Sequence, residues 1–125
     1  MHKYDANKYI DSNLWFSEDE NDRYEAICQY HKKIKVKLPN IRIHSLFHVI
    51  IENQLAEGIK DVQNKLDELI ADGLDRHDAI HAIGYVLSAH IYNLLKNKPD
   101  KSDLNKEYYD KLSKLTAQSW LDECK

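Results

Sequence analysis

Apolar side chains recur along most of this chain at intervals of three and four residues, the spacing of an amphipathic helix. The clearest example lies between Asn40 and Lys60, where Ile51, Leu55 and Ile59 share one helical face. No pair of segments has the two-residue alternation of a hairpin, and three glycines and two prolines provide few turn residues. The pattern predicts an all-α fold.

Caps and helix breakers divide the chain into four to five predicted helices. Ser17 and Glu20 have the spacing of a capping box, and Pro39 ends the helical segment that precedes it. Asn40 and Asp75 are the predicted N-caps of two later helices. The predicted helices cover residues 18–35, 40–58, 61–72, 75–96 and 102–121. Their apolar faces predict a compact bundle of four to five helices around one core.

Length and composition predict a single helical domain over residues 1–125. A chain of 125 residues that is 42% hydrophobic and 31% charged has the composition of a soluble globular protein with one core. Residues 1–16 are predicted to form an irregular N-terminal arm. The side chains that could anchor this arm onto the domain are Tyr4, Tyr9, Ile10, Leu14, Trp15 and Phe16.

Charge and residue usage narrow the classes of partner. A net charge of -3 argues against a nucleic-acid binder, which usually carries a basic face. The most apolar stretch, Ala79–Leu95, is interrupted by His81 and His90 and is shorter than a membrane span of about 20 residues. Cys28 and Cys124 have no metal-binding spacing, which favours free thiols in a reducing compartment. Without a visible secretory signal, we predict a cytoplasmic protein that binds neither nucleic acid nor membrane. A homo-oligomer is left open.

Histidines recur at helical spacing within the apolar pattern. His44, His48 and Glu52 lie at positions i, i+4 and i+8 along the apolar face of the predicted helix 40–58. His77 and His81 repeat the i, i+4 spacing in the predicted helix 75–96. Neutral imidazole is a common metal ligand, and two such pairs on separate helices can converge on one ion. The pattern predicts a buried transition-metal centre.

Helix geometry limits which of these groups can share an ion. A rise of about 1.5 Å per residue separates His44 from Glu52 by roughly 12 Å along the helix axis, whereas metal–ligand bonds are near 2 Å. His48 is therefore common to every arrangement. Either His44 and His48 or His48 and Glu52 join His77 and His81 around one ion, or all five groups surround two ions. In the first arrangement Glu52 could accept the ring N–H of a ligating histidine.

The ligand types leave the metal and the activity open. Nitrogen and oxygen ligands are compatible with zinc, iron, nickel or manganese. A metal-free interaction module with a hydrogen-bonded histidine core is the alternative to metal binding, and a metal-dependent hydrolase is a further alternative. The sequence from His44 to His48 lacks the glutamate of an HExxH motif, which argues against a zincin-type protease.

Three segments carry a specific combination of motifs, HxxxHxxxENQ and RHDAIHAIG. These segments, at 30–59, 73–92 and 108–120, cover about half of the chain. On them the chain resembles an uncharacterised bacterial family, numbered 1841 among the domains of unknown function. The positions that match its pattern are His31, His44, His48, Glu52, Asn53, Gln54, Arg76, His77, Asp78 and His81. The resemblance implies a small bacterial protein with a shared histidine-rich centre and no established activity.

Overall fold

The computed structural model describes residues 4–33, 41–97 and 104–123. These ranges contain seven α-helices and no strand. The helices are α1 Ser12–Ser17, α2 Glu20–Lys33, α3 Ile41–Ala56, α4 Lys60–Ala71, α5 Arg76–Asn97, α6 Leu104–Lys114 and α7 Ala117–Glu123. The all-α prediction is confirmed over the described chain, with seven helices there instead of four to five. None of these helices combines the length and the apolar character needed to cross a lipid bilayer.

The N-terminal arm differs from its prediction because it contains α1. The carboxylate of Asp11 accepts hydrogen bonds from the backbone amides of Asn13 and Leu14, at 2.9 and 3.2 Å, and so caps this helix. The irregular conformation predicted for residues 1–16 is therefore wrong from Ser12 onward. Trp15 on α1 is buried, as expected of an anchor, whereas Leu14 is exposed.

The predicted capping box at Ser17 is also wrong. The Ser17 hydroxyl donates to the Leu14 carbonyl at 2.6 Å, at the end of α1. Asp19 takes the capping role for α2, because its carboxylate accepts from the amide of Asp22 at 2.8 Å. A carboxylate directly before the helix also interacts favourably with the helix dipole, which a hydroxyl two residues earlier does not match. The helix end predicted at Pro39 and the N-cap predicted at Asn40 lie outside the described residues.

The last predicted helix, 102–121, is divided into α6 and α7. The carbonyl of Leu115, just past α6, accepts a hydrogen bond from the buried Lys65 ammonium group at 2.7 Å. Thr116 and Ser119 then cap α7 reciprocally, since each backbone amide donates to the other side-chain oxygen at 3.0 Å. Local capping chemistry therefore interrupts an apolar stripe that the sequence pattern treats as continuous.

The chain divides into two compact units, Met1–Ile59 and Lys60–Lys125. In the first unit α3 packs against α1 and α2, and the buried apolar side chains include Tyr4, Trp15, Ile27 and Val49. Cys28 on α2 is a buried free thiol of this unit. Cys124 lies outside the described residues. The single domain predicted over residues 1–125 stays a prediction.

The second unit is built around the packing of α4, α5 and α6, with α7 against α5. Its core side chains include Val62, Leu66, Leu69, Ile80, Ile83, Tyr108 and Leu112. Gly73 adopts a φ of 110°, which lets the chain leave α4 and enter α5 within a few residues. Asp75 caps α5 as predicted, because its carboxylate accepts from the amide of Asp78 at 2.8 Å.

Candidate metal centre

Three histidines of the first unit lie in mutual contact across α2 and α3. His31 comes from the last turn of α2, and His44 and His48 come from consecutive turns of α3. The ring centroid of His31 lies 4.6 Å from those of both His44 and His48, and the latter two are 5.0 Å apart. We call this set the histidine triad.

The spacing of the triad is close to that of a shared coordination sphere. One ligand nitrogen from each ring can be chosen so that all lie within 4.8 Å of one another. Two nitrogens bound to one ion at about 2.1 Å are separated by no more than about 4.2 Å. Side-chain movements below about 1 Å would therefore bring the three nitrogens onto one ion.

The second unit contributes a local histidine pair on α5. His77 and His81 are one helical turn apart, and their ring centroids are separated by 4.1 Å. His77 is buried and His81 is half-buried. We call these residues the α5 pair. The histidines that could hold a metal ion are thus the triad in the first unit and the α5 pair in the second.

Burial and a hydrogen bond to the backbone determine the protonation state of the His31 ring. Burial lowers the pKa of His31, while its hydrogen bond to the backbone of Ile27 acts in the opposite direction. A lower pKa favours the neutral imidazole, which is the form that binds metals. The Nδ1 atom lies 2.9 Å from the Ile27 carbonyl oxygen, and a carbonyl can only accept. Nδ1 therefore carries the proton, and Nε2 is the unprotonated nitrogen of the neutral ring.

Glu52 is linked to the triad through the Tyr4 hydroxyl. Its carboxylate accepts a hydrogen bond from the Tyr4 hydroxyl at 2.5 Å, and both side chains are buried. The same hydroxyl oxygen lies 3.2 Å from Nδ1 of His48. Tyr4 thus stands between the glutamate and the histidine that the sequence pattern placed one helical turn apart. Glu52 as a direct ligand stays a prediction.

The neighbouring residue Asn53 joins the N-terminal residues to α3. Its side-chain oxygen accepts from the Trp15 indole at 2.8 Å and from the Arg23 guanidinium at 2.7 Å. The Arg23 guanidinium also lies over the Trp15 ring, 5.8 Å from its centroid. These contacts position α1 and the start of α2 on the same helix that carries His48 and Glu52.

Within each unit the structure brings predicted residues together. His44 and His48 come together in the first unit with His31, and His77 meets His81 in the second. The i, i+4 pattern gives no ligand role to His31, although the family resemblance includes this residue. Tyr4 was considered only as an apolar anchor. The sequence around Tyr4 does not indicate that its hydroxyl contacts residues of α3. No feature of the sequence pattern could therefore identify this role.

No protein-family model, no curated protein and no solved structure matches this chain. The candidate centre is therefore assigned from the chemistry of its own side chains. The family resemblance described for residues 30–59, 73–92 and 108–120 stays a prediction.

Proposed function

We propose that this protein binds a transition-metal ion through His31, His44, His48, His77 and His81. The observation that carries the proposal is the triad, in which two buried imidazoles and one half-buried imidazole from two helices have nitrogens within 4.8 Å of one another. In this proposal the α5 pair completes the ligand set that the triad begins. The proposal follows from the doubled i, i+4 pattern, with His31 added to it.

The protonation state of His31 supports metal binding. Burial favours the neutral form of His31, and its hydrogen bond to Ile27 leaves Nε2 without a proton. A neutral imidazole is the form of histidine that binds a divalent cation.

A ligand set made only of imidazoles also limits which metal ions bind tightly. Imidazole suits zinc, iron and nickel, whereas manganese more often takes carboxylate, carbonyl and water oxygens. We therefore expect zinc, nickel or iron(II) to bind more tightly than manganese. If Glu52 were itself a ligand, the added oxygen would favour manganese more than the histidines alone do.

Elemental analysis of protein purified without a histidine tag tests the proposal. We expect close to one zinc, nickel or iron atom per chain and a higher melting temperature after one of these ions is added to chelator-treated protein. Metal content well below one atom per chain, with no gain in melting temperature for any of these ions or manganese, would overturn it. The metal-free interaction module would then be the better description.

A metal-dependent hydrolase needs one further property, a coordination position that a water molecule can occupy. A titration that reaches one ion per chain can be followed by hydrolysis assays with phosphate and carboxylate esters of chromogenic alcohols. Turnover that depends on the ion and disappears with chelator would favour the hydrolase. Metal binding without turnover would favour a structural role of the ion.

A further inference from the structure

We propose that Tyr4 is a positioning residue that holds His48 in one tautomer by joining its ring to the Glu52 carboxylate. The Tyr4 hydroxyl oxygen lies 2.5 Å from a carboxylate oxygen of Glu52 and 3.2 Å from Nδ1 of His48. A phenol hydroxyl has one proton, so it can donate to only one of these neighbours. Which neighbour receives that proton determines the tautomer of His48.

The shorter contact indicates the direction of the chain of hydrogen bonds. The carboxylate of Glu52 is an acceptor, and hydrogen bonds from a hydroxyl to a carboxylate are short, about 2.5–2.7 Å. Tyr4 therefore donates to Glu52, and its oxygen presents a lone pair to His48. Nδ1 of His48 must then carry a proton that it donates to Tyr4. The Nε2 atom of His48 keeps its lone pair.

His31 also carries its proton on Nδ1, but a different hydrogen bond holds it there. Its Nδ1 donates to the Ile27 carbonyl one helical turn earlier, whereas His48 uses a side chain from the N-terminal residues. Two members of the triad thus present Nε2 as the ligand atom. An acidic group behind a ligating imidazole also increases the basicity of the ligand nitrogen and restrains the orientation of the ring.

Packing holds Tyr4 in the position that this role requires. The Tyr4 ring is buried and meets the rings of His48 and Tyr30 edge to face, with centroids at 6.1 and 5.3 Å. Trp15 also packs on the Tyr4 ring, with centroids 6.2 Å apart, but its indole donates to Asn53 and takes no part in the hydrogen bonds between Tyr4, Glu52 and His48. Trp15 can therefore serve as a control for effects that come only from docking of these residues.

The tautomer is a property of the metal-free chain, so it can be measured apart from metal binding. Two-bond 1H–15N NMR spectra of the chelator-treated, full-length protein distinguish a protonated Nδ1 from a protonated Nε2 in each ring. We expect His48 to carry its proton on Nδ1. In Tyr4→Phe this preference should be lost. In Trp15→Phe, which removes the indole hydrogen bond and leaves Tyr4 intact, the preference should remain.

Glu52→Gln supplies a second test that keeps the Tyr4 ring in place. A glutamine side chain can donate as well as accept, so the chain of hydrogen bonds can reverse and Tyr4 can donate to His48. We expect a larger share of the Nε2-protonated tautomer in this variant. A protonated Nε2 in the unaltered protein would overturn the proposal. So would an unchanged His48 tautomer in both Tyr4→Phe and Glu52→Gln.

The consequence for affinity rests on the proposed metal function. With zinc as the probe, we expect Tyr4→Phe to bind about 10- to 100-fold more weakly than the unaltered chain, the usual effect of removing a group that supports a ligating histidine. Trp15→Phe should keep nearly the original affinity. Equal zinc affinity in Tyr4→Phe and the unaltered chain would contradict the positioning role. If no form binds zinc while the tautomers behave as expected, the metal function fails and the role of Tyr4 stands.

Discussion

The histidine triad and the α5 pair are built in different ways. The pair uses two residues of one helix, so the i, i+4 spacing alone brings the rings within 4.1 Å. The triad requires α2 to pack on α3, and its His48 also depends on Tyr4 from the N-terminal residues. The pair is therefore a local feature, whereas the triad exists only when the first unit is folded. A ligand site can thus combine a part that forms with its helix and a part that forms with tertiary packing.

The largest effect is expected from removing a member of the triad. His48→Ala should abolish stoichiometric zinc binding, because His48 belongs to every ligand arrangement that we consider. Isothermal titration with zinc measures this directly. Ser45→Ala is a matched control, since Ser45 is also a buried polar residue on α3 but lies outside the triad. Full zinc affinity in a folded His48→Ala variant would show that the triad is not the centre.

Removing the α5 pair tests whether the two regions act together. If both bind the same ion, His77→Ala combined with His81→Ala should weaken zinc binding by more than about tenfold, or about 1.4 kcal/mol. A competition assay against a chromophoric chelator can measure this change. His90→Asn is the control on the same helix. Unchanged affinity in the double variant would restrict the metal centre to the first unit.

A smaller loss of stability is expected from removing the N-cap of α5, the helix that carries the α5 pair. Asp75→Ala removes the carboxylate that caps α5 and should lower the free energy of unfolding by about 1 kcal/mol. Urea unfolding followed by circular dichroism measures the loss, with the exposed Asp72→Ala as a comparison. Because this variant keeps both imidazoles of the α5 pair, zinc affinity should change less than in the double histidine variant. A loss equal to that of the double variant would contradict this separation.

The smallest expected effect is a pH dependence of the free energy of unfolding that arises from His31 of the triad. Burial holds the pKa of His31 below its ordinary value of 6.5, so the unfolded chain takes up a proton on this ring before the folded chain does. The free energy of unfolding of the metal-free protein should therefore fall as the pH drops from 6.5 toward the lowered pKa. Urea titrations across this window should show a shallower fall in His31→Asn. An identical fall in both proteins would assign the effect to other groups.

The local features of the fold could be predicted from the sequence. The helical periodicity, the Asp75 cap and the His77–His81 spacing each depend on residues a few positions apart, and each is present in the structure. The start of α2 was misplaced because Asp19 competes with Ser17 for the same capping role. The break after α6 was missed because it depends on Lys65, which is distant along the chain from Leu115.

The candidate site was predictable only where its residues share a helix. The sequence pattern correctly placed His44 and His48 on one helix but could not indicate that His31 of α2 packs against them. The association of Tyr4 with Glu52 joins the beginning of the chain to α3, and no local spacing indicates such a contact. Helical periodicity specifies which residues face the interior. It does not specify which interior residues meet.

The buried thiol of Cys28 links oxidative chemistry to the folding of the first unit. A thiol reacts with a disulfide or an alkylating reagent only when the reagent can reach its sulfur, and Cys28 is 2% exposed on the helix that also carries His31. Its modification therefore requires an opening of the first unit that exposes this part of α2. Because His31 lies on the next turn of the same helix, irreversible oxidation of Cys28 should hinder the return of α2 to the packing that forms the triad.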